Sequence, residues 1–172
     1  STGKTTLIKE QLKKRAFYDL LNANNFFKLS KQPSLLEEEN PKGSTVVIDE
    51  IQKLPALLDE VHRLIENNKF KFLLTGSSSR KLKRGGVNLL AGRAWWAELF
   101  PLTWAEIGKK NFQLLRYLNV GGLPQVYNSS NHQEELKSYA NLYLHEEIQA
   151  EALTRNIGAF ASFLDTVALS NG

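Results

Sequence analysis

Six side chains of this sequence are of types that handle phosphate, a divalent cation and a water molecule: Lys4, Thr5, Asp49, Glu50, Thr75 and Arg93. Gly3, Lys4 and Thr5 fill the last three fixed positions of the pattern G-x-x-x-x-G-K-[ST], and Thr6 follows them. The pattern has a physical basis. A glycine-rich turn aims consecutive backbone N–H groups into one concavity that suits phosphate oxygens. The helix that follows adds unpaired N–H donors and the positive end of its dipole. Lys4 would neutralise phosphate charge and the Thr5 hydroxyl would ligate Mg²⁺. The first fixed glycine would lie before Ser1, so the sequence is expected to begin inside its own phosphate loop, as an N-terminally truncated piece. A plainer account of the same residues is a helix start capped by Ser1 or Thr2.

Further along, Thr45-Val46-Val47-Ile48 is a β-branched run that ends in Asp49-Glu50. Such a run suits a strand buried on both faces of a parallel sheet. Two adjacent carboxylates at its tip are costly unless they bind something. The ordinary alternative is a strand leaving the core into a polar loop. An apolar strand closed by Asp-Glu, downstream of a Gly-Lys-Thr helix, resembles the Walker B arrangement of additional-strand P-loop ATPases, which implies an aspartate that organises Mg²⁺ and a glutamate that polarises an attacking water. A third strand-to-loop transition follows at Phe72-Leu73-Leu74-Thr75. The same resemblance implies a polar residue at the tip of the neighbouring strand that meets the terminal phosphate or the attacking water; Thr75 is the candidate, with Ser77 the second choice, and the alternative is a turn supplying N-caps. Arg80, Lys81, Lys83 and Arg84 form a basic stretch suited to phosphate, nucleic acid, a neighbouring subunit or plain solvent. Arg93 is the candidate arginine for nucleotide, in cis or in trans, or else one half of a loop-fixing salt bridge.

These groups need a scaffold, and composition allows one. The 172 residues suit one domain of ordinary size, and 42% are hydrophobic, enough for a core. The net charge of +4 permits a polyanionic partner without requiring one. The absence of cysteine excludes disulfides and thiolate metal sites and fits a cytoplasmic setting. No apolar run approaches the ~18 residues of a membrane span. His145-Glu146-Glu147 lacks the second histidine of a zinc motif, since position 149 is Gln149. His62 borders an apolar stripe and is given no role.

Periodicity places the elements. Leu7, Ile8 and Leu12 predict a helix over 4–17, residues 22–25 a turn, and 26–29 a short strand. Residues 30–43 read as a loop around a helical turn, with Glu37-Glu38-Glu39 on a solvated face. Strands are expected at 45–48 and 72–74, a helix over 55–68, and a last strand over 94–99. Thr103 and Glu106 predict a capping box for a short helix. Helices follow over 111–119, 133–153 and 157–169, with an ordered turn at 121–126.

The ordered set Gly3-Lys4-Thr5-Thr6-Leu7, Val47-Ile48-Asp49-Glu50-Ile51-Gln52, Leu74-Thr75-Gly76-Ser77-Ser78, Leu90-Ala91-Gly92-Arg93, Leu99-Phe100-Pro101-Leu102-Thr103 and Gly121-Gly122-Leu123-Pro124 resembles the prokaryotic AAA+ superfamily, close to the archaeal-type ATPases with a C-terminal domain of unknown function. The resemblance implies an α/β P-loop NTPase core of the additional-strand type, three-layered with a mostly parallel sheet, followed by a helical region. It implies a core over residues 1–108 lacking its first strand, a lid-like region over 109–155 and the start of a further domain over 156–172. It implies ATP and Mg²⁺ as ligands, with Walker A at Gly3, Lys4, Thr5 and Thr6, Walker B at Asp49 and Glu50, and Thr5 and Asp49 at the metal. ATP hydrolysis is the leading expectation for the parent protein. A nucleotide-gated nucleic-acid-binding or regulatory module is the alternative, and Asp49-Glu50 argues against a kinase. The piece itself is expected to bind ATP poorly.

Overall fold

Three short strands, β1 (Ala16–Asp19), β2 (Thr45–Asp49) and β3 (Lys71–Leu74), run parallel in the order β1-β2-β3. They belong to a computed structural model that describes residues 3–76, 92–143 and 157–170. The central strand β2 is the β-branched run, and Val46, Val47 and Ile48 are buried completely. Full burial on both faces is what a parallel sheet demands of its middle strand. The register pairs Asp19 with Asp49 and Ile48 with Leu74, so the C-terminal ends of the strands lie side by side.

Helix α1 (Lys4–Gln11) precedes β1, and α2 (Ala23–Lys31), α3 (Leu35–Glu38) and α4 (Leu57–Asn68), with a 3₁₀ turn at Ile51–Lys53, connect the strands. The expected helix over 4–17 stops at Gln11, and its apolar residues are not buried. Ala16, Phe17 and Tyr18 extend instead because they pair with Val46, Val47 and Ile48, and that tertiary pairing overrides a helical period. The expected turn and strand over 22–29 are one helix. Asn22 Oδ1 accepts from Asn24 N at 2.9 Å and Asn25 N at 3.3 Å, an N-cap rather than a turn. Leu29, on the inner face of that helix, is wholly buried. α4 matches its expected stripe, with Leu57, Leu58, Val61 and Leu64 buried, and β3 forms where it was expected.

The glutamate run lies on a solvated face, as expected, with Glu38 and Glu39 exposed and Glu37 half-buried, and its carboxylates are paired there. Arg63 Nη2 donates to Glu37 Oε2 at 2.6 Å, and Lys28 pairs with Glu39, which also accepts from Tyr18 Oη at 2.9 Å. The hydrogen bond from Arg63 holds the Glu37 carboxyl below its usual range, and the one from Lys28 does the same for Glu39. Both folded-state pKa values are therefore depressed. The stability they contribute is present above the unfolded value of about 4.3 and is lost as pH falls through the lower folded value. We expect the thermal midpoint to drop as pH falls below about 4.3, and Glu37→Gln to remove part of that drop. Melting curves across this window, followed by circular dichroism, check it; an identical drop in the variant would refute it.

The chain divides into two compact units, Gly3–Leu99 and Phe100–Gly172. The second contains α5 (Trp104–Ile107), α6 (Leu114–Val120), α7 (Pro124–Asn128), α8 (His132–Leu142) and α9 (Ile157–Ser170). The Thr103–Glu106 capping box forms as read from sequence: Thr103 N donates to Glu106 Oε2 at 2.8 Å and Glu106 N to Thr103 Oγ1 at 3.4 Å. Val120, Val126 and Tyr127 make a small core with Leu102, Tyr117 and Leu136 around them. Gly122 sits where a Cβ would fall 2.7 Å from Tyr117 Oη and 2.8 Å from Leu102 O, so this close approach requires glycine.

Three further expectations change here. The helix over 111–119 begins at Leu114, and part of the turn over 121–126 is α7. The helix over 133–153 is seen as α8 up to Leu142, and its second half lies outside the described residues. Residues 94–99 form no strand; their backbone is irregular, with Trp95 and Trp96 exposed. A strand exists only through its ladder, and among the described residues none pairs with this segment.

Candidate functional site

The C-terminal end of β2 is built to hold a charge. Val46 to Ile48 anchor the strand in the core, and Asp49 follows with 2% of its surface exposed. An ionised carboxylate that deep needs donors. Two arrive from other elements: Thr5 Oγ1 donates to Asp49 Oδ2 at 2.7 Å, and Thr75 Oγ1 donates to Asp49 Oδ1. Thr5 is brought there by the first turn of α1, and Thr75 by the exit from β3. Three segments far apart in sequence thus converge on one carboxylate.

Each segment has a local reason for its shape. Gly3 precedes α1 with φ 86°, a left-handed conformation that glycine adopts without steric cost. The chain can therefore turn sharply into the helix and present the N–H groups of its first turn, which have no intrahelical partner. Lys4 and Thr5 are half-buried at that start and Thr6 is exposed. Lys4 forms no ion pair with any described residue. Thr75 is 6% exposed and serves both neighbours: its N–H donates to Ile48 O at 3.0 Å, and its hydroxyl accepts from Glu50 N at 3.3 Å.

Glu50 sits at φ 60°, one of two non-glycine residues in the left-handed region among those described. Such a backbone persists only where its surroundings hold it. Here Ile51 N donates to Thr75 O at 3.0 Å, Lys53 N donates to Glu50 O at 2.9 Å, and the Ile51 side chain is fully buried. The turn ends the strand at Asp49, and Glu50 is half-buried. Gln52 Nε2 donates to Glu50 Oε2.

Arg93 is exposed and pairs with Glu66 near the end of α4. That is the loop-fixing arrangement weighed for it in the sequence. Ser77 and the basic stretch 80–84 lie outside the described residues. Sequence reasoning missed Asp19 and Gln52. Asp19 ends β1 in register with Asp49, and its Oδ1 accepts from Leu21 N at 2.8 Å. The signal was the same as for Asp49: an apolar run, Ala16-Phe17-Tyr18, closed by an aspartate. Gln52 stood in the quoted set Val47–Gln52 but was given no role, because its reach to Glu50 depends on the left-handed turn.

The donor set suits Mg²⁺. Hydroxyl and carboxylate oxygens are the hard ligands it prefers, and it is bound through one or two carboxylates together with substrate phosphates. Among the described residues no cluster of three His, Cys, Asp or Glu side chains occurs, so an all-protein metal cage is not what this site offers.

A parallel α/β sheet with a Gly-Lys-Thr helix start and an Asp-Glu strand end, joined through Thr5 and Asp49, defines a P-loop NTPase core followed by a helical region. The chain belongs to the AAA domain family, whose match covers residues 1–108. Nucleotide binding and hydrolysis, typically with Mg²⁺, are the general activity of that class. An uncharacterized protein of Methanocaldococcus jannaschii is 31% identical, over 63% of this chain and 29% of its own length. The chain thus spans less than a third of that relative. No solved structure matches it. No helix among the described residues is long and apolar enough to cross a membrane.

Proposed function

We propose that the full-length protein binds ATP with Mg²⁺ and hydrolyses it at the site made by Lys4, Thr5, Asp49, Glu50 and Thr75. The observation that supports this best is the convergence of the Thr5 and Thr75 hydroxyls on the buried Asp49 carboxylate, with Glu50 held beside them in a left-handed turn. Gly3 and the backbone of the first turn of α1, through Thr6, would receive phosphate oxygens. The Lys4 ammonium would neutralise them. Thr5 and Asp49 would hold Mg²⁺, Asp49 through water. Bound there, the ion would screen the charge that develops on the phosphate oxygens.

Glu50 would orient a water and accept its proton, and Thr75 would hold that water or the terminal phosphate in line. Arg93 would act on nucleotide in cis or in trans, with Nε engaged by Glu66. A water-activating glutamate favours hydrolysis over transfer to another substrate. The regulatory, nucleic-acid-binding reading rests on residues 80–84, and no observation among the described residues favours it.

The test is Mg²⁺-dependent phosphate release from ATP by the full-length protein, paired with nucleotide affinity. Lys4→Ala should weaken ATP binding about tenfold, the scale of ~1.5 kcal/mol for one hydrogen bond to a charged group. Wild-type protein that releases no phosphate, or a Lys4→Ala variant that binds ATP with parental affinity, overturns the assignment.

A further inference from the structure

The backbone of Glu50 is fixed on every side: by Thr75 Oγ1 at its N–H, by Ile51 N on Thr75 O, and by Lys53 N on its own carbonyl. None of these contacts fixes the carboxylate. Three rotatable bonds separate it from the Cα, and a base works only within hydrogen-bond reach of the water it activates. Gln52 reaches that carboxylate. It lies two residues on, in the 3₁₀ turn Ile51–Lys53, half-buried, and its Nε2 donates to Glu50 Oε2. The left-handed backbone of Glu50 is what allows side chains at this spacing to meet.

The identity of the donor matters. A lysine or arginine here would neutralise the glutamate and weaken it as a base. An amide restrains one carboxylate oxygen and leaves the charge in place. The backbone that carries the amide is held because its neighbour Ile51 is buried in the core and Lys53 closes the turn.

We propose that Gln52 is a positioning residue that orients the Glu50 carboxylate for water activation; this rests on the hydrolase reading above. It acts through Glu50 and touches no substrate. Loss of its amide donor should therefore lower kcat and leave ATP binding unchanged.

The experiment uses the full-length protein with Gln52→Met and Gln52→Ala, each alone and combined with Glu50→Gln. Gln52→Met keeps the length of the side chain and removes the donor without placing a charge beside Glu50, so it separates positioning from space-filling. We expect kcat to fall about tenfold in both single variants, within the 10²-fold that a misplacement of about 1 Å costs, with KM for ATP unchanged. In the Glu50→Gln background neither change should lower kcat further, because the base it orients is already gone. Parental or raised kcat in Gln52→Met overturns the proposal. So does a full additional loss on top of Glu50→Gln. Where the wild type turns over ATP and Glu50→Gln does not, such a result removes Gln52 alone. A wild type without turnover removes the hydrolase reading and this one together.

Discussion

Glu50→Gln in the full-length protein is expected to lower ATP turnover by about 10²- to 10⁴-fold, the range that a positioned general base supplies. Binding of ATP should persist. The substitution is close to isosteric, and the backbone that places residue 50 depends on groups it does not touch. Glu50 N still donates to Thr75 Oγ1, Ile51 stays buried, and Lys53 N still closes the turn. An amide at 50 can even keep a hydrogen bond with Gln52 by presenting its oxygen. What it cannot do is accept a proton from water. The measurement is a pair: single-turnover phosphate release, and nucleotide affinity by calorimetry. Slow release with parental affinity supports a water-activating base. Parental release assigns that role elsewhere.

The difference between Glu50 and Gln52 shows what could be read from sequence. Asp49 and Glu50 stood out because two carboxylates at the end of Val46-Val47-Ile48 are expensive there without a purpose; the structure buries Asp49 and leaves Glu50 half-buried. β2, α4 and the Thr103–Glu106 cap were legible for the same kind of reason: each is set by residues within one turn or one strand. β1 was not. Ala16-Phe17-Tyr18 continues a helical period as well as it starts a strand, and only pairing with β2 decides between them. α2 was misread because Asn22 serves as a cap where asparagines also suggest a turn. Residues 94–99 carry strand-forming side chains, but a strand is a property of two segments and no described partner is present. Gln52 belongs with these. Its contact is three residues wide, yet it follows from a left-handed backbone at Glu50 that itself depends on Thr75, twenty-five positions away.

Asp49→Asn should separate stability from function. Without nucleotide the variant is expected to melt no lower than the wild type. A neutral amide costs less to bury than an ionised carboxylate, and Asp49 has only 2% of its surface exposed. The neighbours can adapt. Thr75 Oγ1 can go on donating to the remaining oxygen, while Thr5, which is half-buried, can turn its hydroxyl to accept from the new N–H. Mg²⁺-dependent turnover should nevertheless fall by up to about 100-fold, the upper end of what loss of a water-mediated metal partner costs. The reason is charge: the amide keeps the hydrogen bonds of the carboxylate and loses the attraction for a divalent ion. Melting curves without nucleotide and turnover against Mg²⁺ concentration give the two readings. A sharp fall in the midpoint would make Asp49 chiefly a structural residue. An unchanged Mg²⁺ dependence would place the metal elsewhere. A preserved midpoint with a large loss of turnover would mean that the fold tolerates a buried charge at the end of β2, stripped of its stabilising partner when no ligand is bound, because the bound state needs it.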